Sequence, residues 1–228
     1  MRQPMAALAA AIICASIAGC GNSVGNAQAP TTTRTLIPRP LVERELTALL
    51  LNPDQANAAM ETTGMTVTSQ QAAMSDNSAT MAPPECLAID GAAEALAYAD
   101  SGFWAERDQS LNNGDHFTHY LKQAVVLFPT VEMAGEFLST SAERWPACRE
   151  YTHTQSGTKW TAGQISNFDG TLSVVATQEE AAAPGWGCGR ALTHKNNIIV
   201  DVNTCSAVPG DSAVRIASQI ADNVAARW

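Results

Sequence analysis

Cys188-Gly-Arg-Ala-Leu-Thr-His-Lys-Asn-Asn-Ile-Ile-Val-Asp-Val-Asn-Thr-Cys205 decides the fold. Two runs with alternating side-chain character flank Asn196-Asn197, a pair suited to a tight hairpin turn. If these two residues form the loop, strand residues pair symmetrically about it, and Cys188 faces Cys205. Counting outward from the hydrogen-bonded pair Lys195 and Ile198, the two cysteines fall at a non-hydrogen-bonded position. There Cα atoms lie about 4.5 Å apart, at the short end of the range a disulfide accepts. The same register places Cys188, Arg190, Leu192 and His194 on one face with Ile199, Asp201, Asn203 and Cys205. The opposite face carries Ala191, Ile198, Val200 and Val202, and is the core face. The first face is mixed, with Arg190 diagonal to Asp201. It is expected to be solvated and to carry a salt bridge. The alternative is the floor of a polar cleft, in which Arg190, Asp201, Asn203 and Tyr120 would meet a ligand.

Outward from this hairpin, periodicity predicts the other elements. Leu41 to Met60 repeats its leucines at helical spacing and is broken by Asn52-Pro53-Asp54, where Pro53 suits the first turn of a second helix. Met65 to Thr68 predicts a short strand, and residues 69–82 a loop. Pro83-Pro84-Glu85 opens a helix that carries Cys86 and runs through Ala93. Phe103 to Leu111 and Phe117 to Phe128 read as strands. Thr130 to Ala147 reads as an amphipathic helix capped by Thr130, with Met133, Phe137, Leu138 and Trp145 inward. A second hairpin turns at Asn167-Phe168-Asp169-Gly170, and a last helix spans Ala213 to Ala226. The fold class is α+β, a twisted antiparallel sheet with flanking helices and two disulfides.

The chain has 228 residues and a formal net charge of −9. Residues 1–19 read as a secretion signal: Arg2, then an apolar run from Met5 to Ile17. The run ends Ile17-Ala18-Gly19-Cys20, which resembles a bacterial lipobox, so Cys20 is the expected first residue of the mature chain and the site of acylation. Two acyl chains make attachment stable where one is marginal. Residues 20–40 form the anchor and a polar tether, and 41–228 the folded domain. The acidic balance argues against nucleic acid, which needs clustered cations.

Four cysteines follow Cys20: Cys86, Cys148, Cys188 and Cys205. In an exported chain they read as two disulfides with three possible pairings. The hairpin register selects 188 with 205, leaving 86 with 148. A four-cysteine metal site lacks a CxxC pair. His116 and His119 are three apart on a predicted strand and so point to opposite faces, which argues against chelation; His119 is expected in the core. Gly185-Trp-Gly-Cys-Gly189 precedes a strand rather than a helix and so makes no phosphate loop. No GxSxG, HExxH or P-loop pattern occurs, and no catalytic residue, metal or cofactor is expected. Trp104, Trp145, Trp160 and Trp186 are expected in core or rim packing.

Six segments resemble the PknH-like extracellular sensor domain, found on mycobacterial receptor Ser/Thr kinases and as free-standing lipoproteins. They are Glu45-Leu-Thr-Ala-Leu-Leu-Leu-Asn-Pro-Asp54, Pro83-Pro-Glu-Cys-Leu-Ala-Ile-Asp-Gly91, Phe103-Trp-Ala-Glu106, His119-Tyr-Leu-Lys-Gln-Ala-Val125, Trp145-Pro-Ala-Cys148 and Val202-Asn-Thr-Cys205. The resemblance covers residues 41–228. It implies a twisted antiparallel sheet, the two disulfides paired as above, and a cleft for a ligand. The kinase patterns are absent: no HRD and no DFG occurs. The expected function is a non-enzymatic, membrane-anchored binding domain for a small envelope molecule. The alternative is a protein-interaction module holding an envelope receptor or enzyme.

Overall fold

A computed structural model describes residues 38–227. Its first described turn, Glu43–Leu49, is a 3-10 helix that buries Leu46 and Leu49. Helix α1 (Pro53–Met60) follows, with the Asn52 side chain accepting from the Gln55 N–H and Pro53 in the first turn. Strand β1 is Thr66–Gln71 and β2 is Met81–Ala82. The segment expected as a loop therefore gives strand at both ends. A 3-10 turn, Pro84–Cys86, leads into the short helix α2 (Leu87–Asp90). This helix stops at Gly91 rather than Ala93. The residues after it instead bond to a neighbouring loop, with Ser75 N–H donating to the Ala93 carbonyl at 3.0 Å and Ala95 N–H to the Ser75 carbonyl at 2.8 Å.

Strands β3 (Ala105–Asn112) and β4 (His119–Leu127) come next. Helix α3 (Val131–Arg144) is capped by the Thr130 side chain, which accepts from Met133 N–H. It ends three residues early, in a 3-10 turn Trp145–Ala147, because Pro146 has no N–H for the Ala142 carbonyl. Strands β5 (Glu150–His153) and β6 (Thr158–Ala162) form a hairpin that the sequence pattern did not predict. Then follow β7 (Ser166–Phe168), β8 (Thr171–Gln178), β9 (Gly187–Lys195), β10 (Ile198–Ser206) and helix α4 (Ser212–Ala225).

The strands make one antiparallel sheet in the order β1-β3-β4-β10-β9-β8-β6-β5-β2, with β7 on β8. The β9–β10 register is the expected one. Lys195 pairs with Ile198, Asn203 faces Arg190, and Cys205 faces Cys188. Asn196 takes the left-handed conformation the turn requires, at φ 55°. Cys188 and Cys205 are bonded with Cα atoms 4.1 Å apart, and Cys86 and Cys148 with Cα atoms 5.4 Å apart. The second bridge joins the turn before α2 to the end of the α3 region.

Helices cover both faces of the sheet. On one face Val200, Val202, Ala191, Leu121 and Val125 pack against Ile216, Ile220 and Val224 of α4 and against Leu46 and Leu49. Gly189 lets α4 come close: a Cβ there would lie 3.4 Å from Ala213 Cβ and 3.2 Å from Thr204 Oγ1. Two buried amides fasten the N-terminal segment. Gln123 donates to the Leu51 carbonyl at 2.8 Å and accepts from Leu51 N–H at 2.9 Å, and Asn197 makes the same pair of bonds to Leu41. On the other face Val126, Ile199, Leu192 and Leu172 pack under Leu87, Ile89, Tyr98, Leu138 and Trp145. The face expected to be solvated is therefore covered.

The 188–205 bridge ties residues 17 apart in sequence across the central hairpin. Replacing Cys188 by Ala is expected to lower unfolding stability by about 2–5 kcal/mol. A urea midpoint unchanged in Cys188→Ala would contradict a constraining role for this bond.

Candidate ligand-binding clefts

One buried ion pair organises the mixed face. Arg190 and Asp201 are 3% and 1% exposed and form a close salt bridge through Nη1 and Oδ1. The expected solvated pair is thus corrected to a buried one. A buried charge needs partners for its remaining donors and acceptors. Here residues 88–98 supply them. Arg190 Nη2 donates to the Ala88 carbonyl at 3.1 Å. Asp201 Oδ2 accepts from the Ala93 N–H and from the Tyr98 hydroxyl, each at 2.9 Å. Asn203 Nδ2 donates to the Asp90 carbonyl at 2.9 Å. The Arg190 guanidinium also lies over the Trp145 ring, 5.4 Å from its centre. Burial, reinforced by Asp201, pushes the Tyr98 phenol well above its ordinary pKa, so it stays a hydrogen donor.

The segment held this way borders two cavities. The larger, about 970 Å³, lies between it and α3. Leu87, Ile89, Leu96, Met133 and Phe137 give it apolar walls, and Arg190, Asp201 and Trp145 line its base. Tyr98 and Phe137 stack with ring centres 4.3 Å apart. Arg190 Nε and Ser101 Oγ are buried with no hydrogen-bond partner. The smaller cavity, about 410 Å³, lies on the other side of the segment. Its lining includes Asp90, Glu94, Asp108, Lys122 and His153 together with Phe117, Tyr120, Trp160 and Trp186. The Cys188–Cys205 pair is part of its wall.

Beside the smaller cavity the sheet carries unusual charge. Glu106 and Asp108 sit two apart on β3, on the same face as Lys122 and Asp201, and are 1% and 2% exposed. None of their four carboxylate oxygens has a hydrogen-bond partner. Burial, then repulsion from Asp108, pushes the Glu106 carboxyl up to about 7. Burial likewise raises Asp108, which Lys122 Nζ approaches only to 3.7 Å. Lys122 instead donates to Ser75 Oγ at 2.7 Å. Burial raises Glu94 too, although Asn77 Nδ2 donates to it at 2.7 Å. His153 is raised by its 2.9 Å hydrogen bond with Asp90.

The four ligand-facing candidates divide between the cavities: Arg190 and Asp201 at the larger, Asn203 and Tyr120 at the smaller. The polar groups of Arg190, Asp201 and Asn203 are largely spent holding residues 88–98. Sequence reasoning missed Tyr98, Glu106, Asp108 and Lys122. The i, i+2 spacing of Glu106 and Asp108 on a strand was the available signal, since it puts both carboxylates on one face. His119 is half-buried rather than in the core, near Thr62 and Thr118 hydroxyls, and Trp104 is 70% exposed. Among the described residues no group of three His, Cys, Asp or Glu is placed to hold a metal ion. Cys20 and the signal lie outside the described residues.

A family model for the PknH-like extracellular domain matches residues 41–223. The chain belongs to this family. The chain is 34% identical over 227 residues to the serine/threonine-protein kinase PknH of Mycobacterium bovis, covering 97% of this chain and 37% of the kinase. It is 35% identical over 192 residues to PknH of Mycobacterium tuberculosis, covering 82% of this chain and 30% of that one. The chain thus spans about a third of the length of these relatives. The crystal structure of the extracellular domain of PknH from Mycobacterium tuberculosis matches with a TM-score of 0.78 at 33% identity, covering 83% of this chain and 99% of that one. The PknH-like domain therefore lies outside the cytoplasm.

The raised Glu106 carboxyl has a signed consequence for stability. Between about pH 4.5 and 7 the folded state holds a proton that the unfolded state has released, so stability falls as pH rises. The loss is on the order of 3 kcal/mol by pH 8. Urea unfolding at pH 5 and pH 8 should show this fall in the wild type and a smaller one in Glu106→Gln. Equal falls would contradict the buried setting of Glu106.

Proposed function

We propose that this chain is a lipoprotein acylated on Cys20, whose PknH-like domain binds a small envelope molecule in the larger cleft. The observation that carries this is the cleft itself. It is concave, about 970 Å³, and walled by apolar side chains with a few fixed polar groups at its base. Small-molecule sites combine these features at this size. The unpartnered Arg190 Nε and Ser101 Oγ supply two donors that a ligand could satisfy. The rigid sheet beneath and the disulfide-tied turn beside it keep the walls in place, so little ordering is needed on binding. A polar tether after Cys20 would hold the domain near the membrane, where such a ligand is available.

Native mass spectrometry of the full-length protein, extracted from its own membrane in mild detergent, tests both halves. The expected species lacks residues 1–19, carries acyl chains, and retains a small molecule. Leu96 lines the cleft and is 43% exposed, so Leu96→Trp fills space without disturbing the core. That variant should keep the acyl mass and lose the small molecule. An acylated wild type with nothing bound would overturn the small-molecule reading and favour a protein partner.

A further inference from the structure

The smaller cavity has a chemistry the apolar cleft lacks. Three carboxylates line it: Asp90, Glu94 and Asp108. Asp90 is matched by His153, and Glu94 by the neutral side chain of Asn77. Asp108 is 2% exposed, lines the cavity, and has no hydrogen-bond partner on either oxygen. Lys122 Nζ is within ion-pair range at 3.7 Å, beyond hydrogen-bond distance, and donates to Ser75 Oγ. Glu106, two residues back on the same strand face, adds another buried carboxyl without partners. Acceptors thus outnumber donors at this end of the sheet, and negative charge outnumbers positive.

The walls are aromatic. Phe117 stands 6.2 Å from Tyr120 and 6.3 Å from Trp186 between ring centres. Trp160 completes the lining and is 5% exposed, whereas Phe117 is 42% exposed and lies at the rim. Aromatic faces attract cations, and the attraction grows where water is excluded. A buried carboxylate without hydrogen bonds is costly unless a donor reaches it, and a charged donor makes the strongest bond. A volume of about 410 Å³ falls within the range of small-molecule sites.

We propose that this second cavity binds a small organic cation, with its ammonium or guanidinium group on Asp108 and its carbon chain against Phe117, Tyr120 and Trp186. The site is separate from the apolar cleft, so its occupancy does not depend on that cleft having a ligand. An incoming cation would give Asp108 the donor it lacks. It would also balance the charge that Lys122 leaves over.

The test uses the full-length protein in non-ionic detergent, titrated calorimetrically with 1,4-diaminobutane and, separately, with its neutral counterpart 1,4-butanediol. The diamine should bind saturably and the diol not. Asp108→Asn should weaken the diamine at least tenfold. Because altering a buried ion pair can unfold a protein, Phe117→Ala at the exposed rim is the second variant. It should keep the fold and weaken the diamine several-fold. Equal binding of the diol would replace the proposal with a neutral polyol site. Diamine binding unchanged in a folded Asp108→Asn or in Phe117→Ala would reduce it to diffuse attraction by an acidic surface. No saturable heat with the wild type would end it.

Discussion

The salt bridge between Arg190 and Asp201 is the constraint around which the rest of this domain is arranged. Both residues come from the central hairpin, so their positions are set by β9 and β10 pairing. Once buried, their surplus donors and acceptors must be met. The segment 88–98 meets them with backbone groups and the Tyr98 hydroxyl. This specifies which stretch of chain lies over the sheet and in what register. The Cys86–Cys148 bridge then limits how far the start of that segment can move from α3. An apolar pair at 190 and 201 could stabilise the sheet as well, as replacement of buried ion pairs in other proteins shows. It could not select one backbone segment over another, because apolar contact carries no direction.

The two faces of the sheet solve different problems. The face under α4 is almost wholly apolar and is sealed by large side chains from both ends of the chain. Two of its polar side chains, Gln123 and Asn197, bind the N-terminal segment. The other face mixes an apolar half under α3 with a charged half around Lys122. Here polar rules are broken: Glu106 and Asp108 keep four oxygens without hydrogen bonds, and Arg190 Nε and Ser101 Oγ are buried without partners as well. Sequences violate such rules mainly where function requires it. Both cavities open on this face and none of the stability-giving α4 contacts line them. The cavity linings can therefore change without touching the main core.

The family relation fits this division. The solved extracellular domain of PknH from Mycobacterium tuberculosis shares the fold over nearly its full length at 33% identity. Membership of the family of PknH-like extracellular domains points outside the cytoplasm, whereas what fills a cleft follows from the side chains present in it.

Much of the framework was legible in the sequence. The two-residue loop Asn196-Asn197 determined the hairpin, its register and the facing cysteines, because side chains on a strand repeat every two residues and a two-residue loop leaves no freedom of pairing. Helical spacing marked α3 and α4, and Asn52-Pro53 marked the start of α1, since capping is local chemistry. The β5–β6 hairpin was not legible, because its short strands alternate too weakly to stand out. The burial of Arg190 was not legible either. On a strand, a charged residue at an alternating position reads the same under water or under protein. What covers it is chain about a hundred residues earlier, brought there by the fold. Local pattern thus determined pairing and faces, and tertiary structure alone decided which polar face would be closed over and which of its charges would be left without partners.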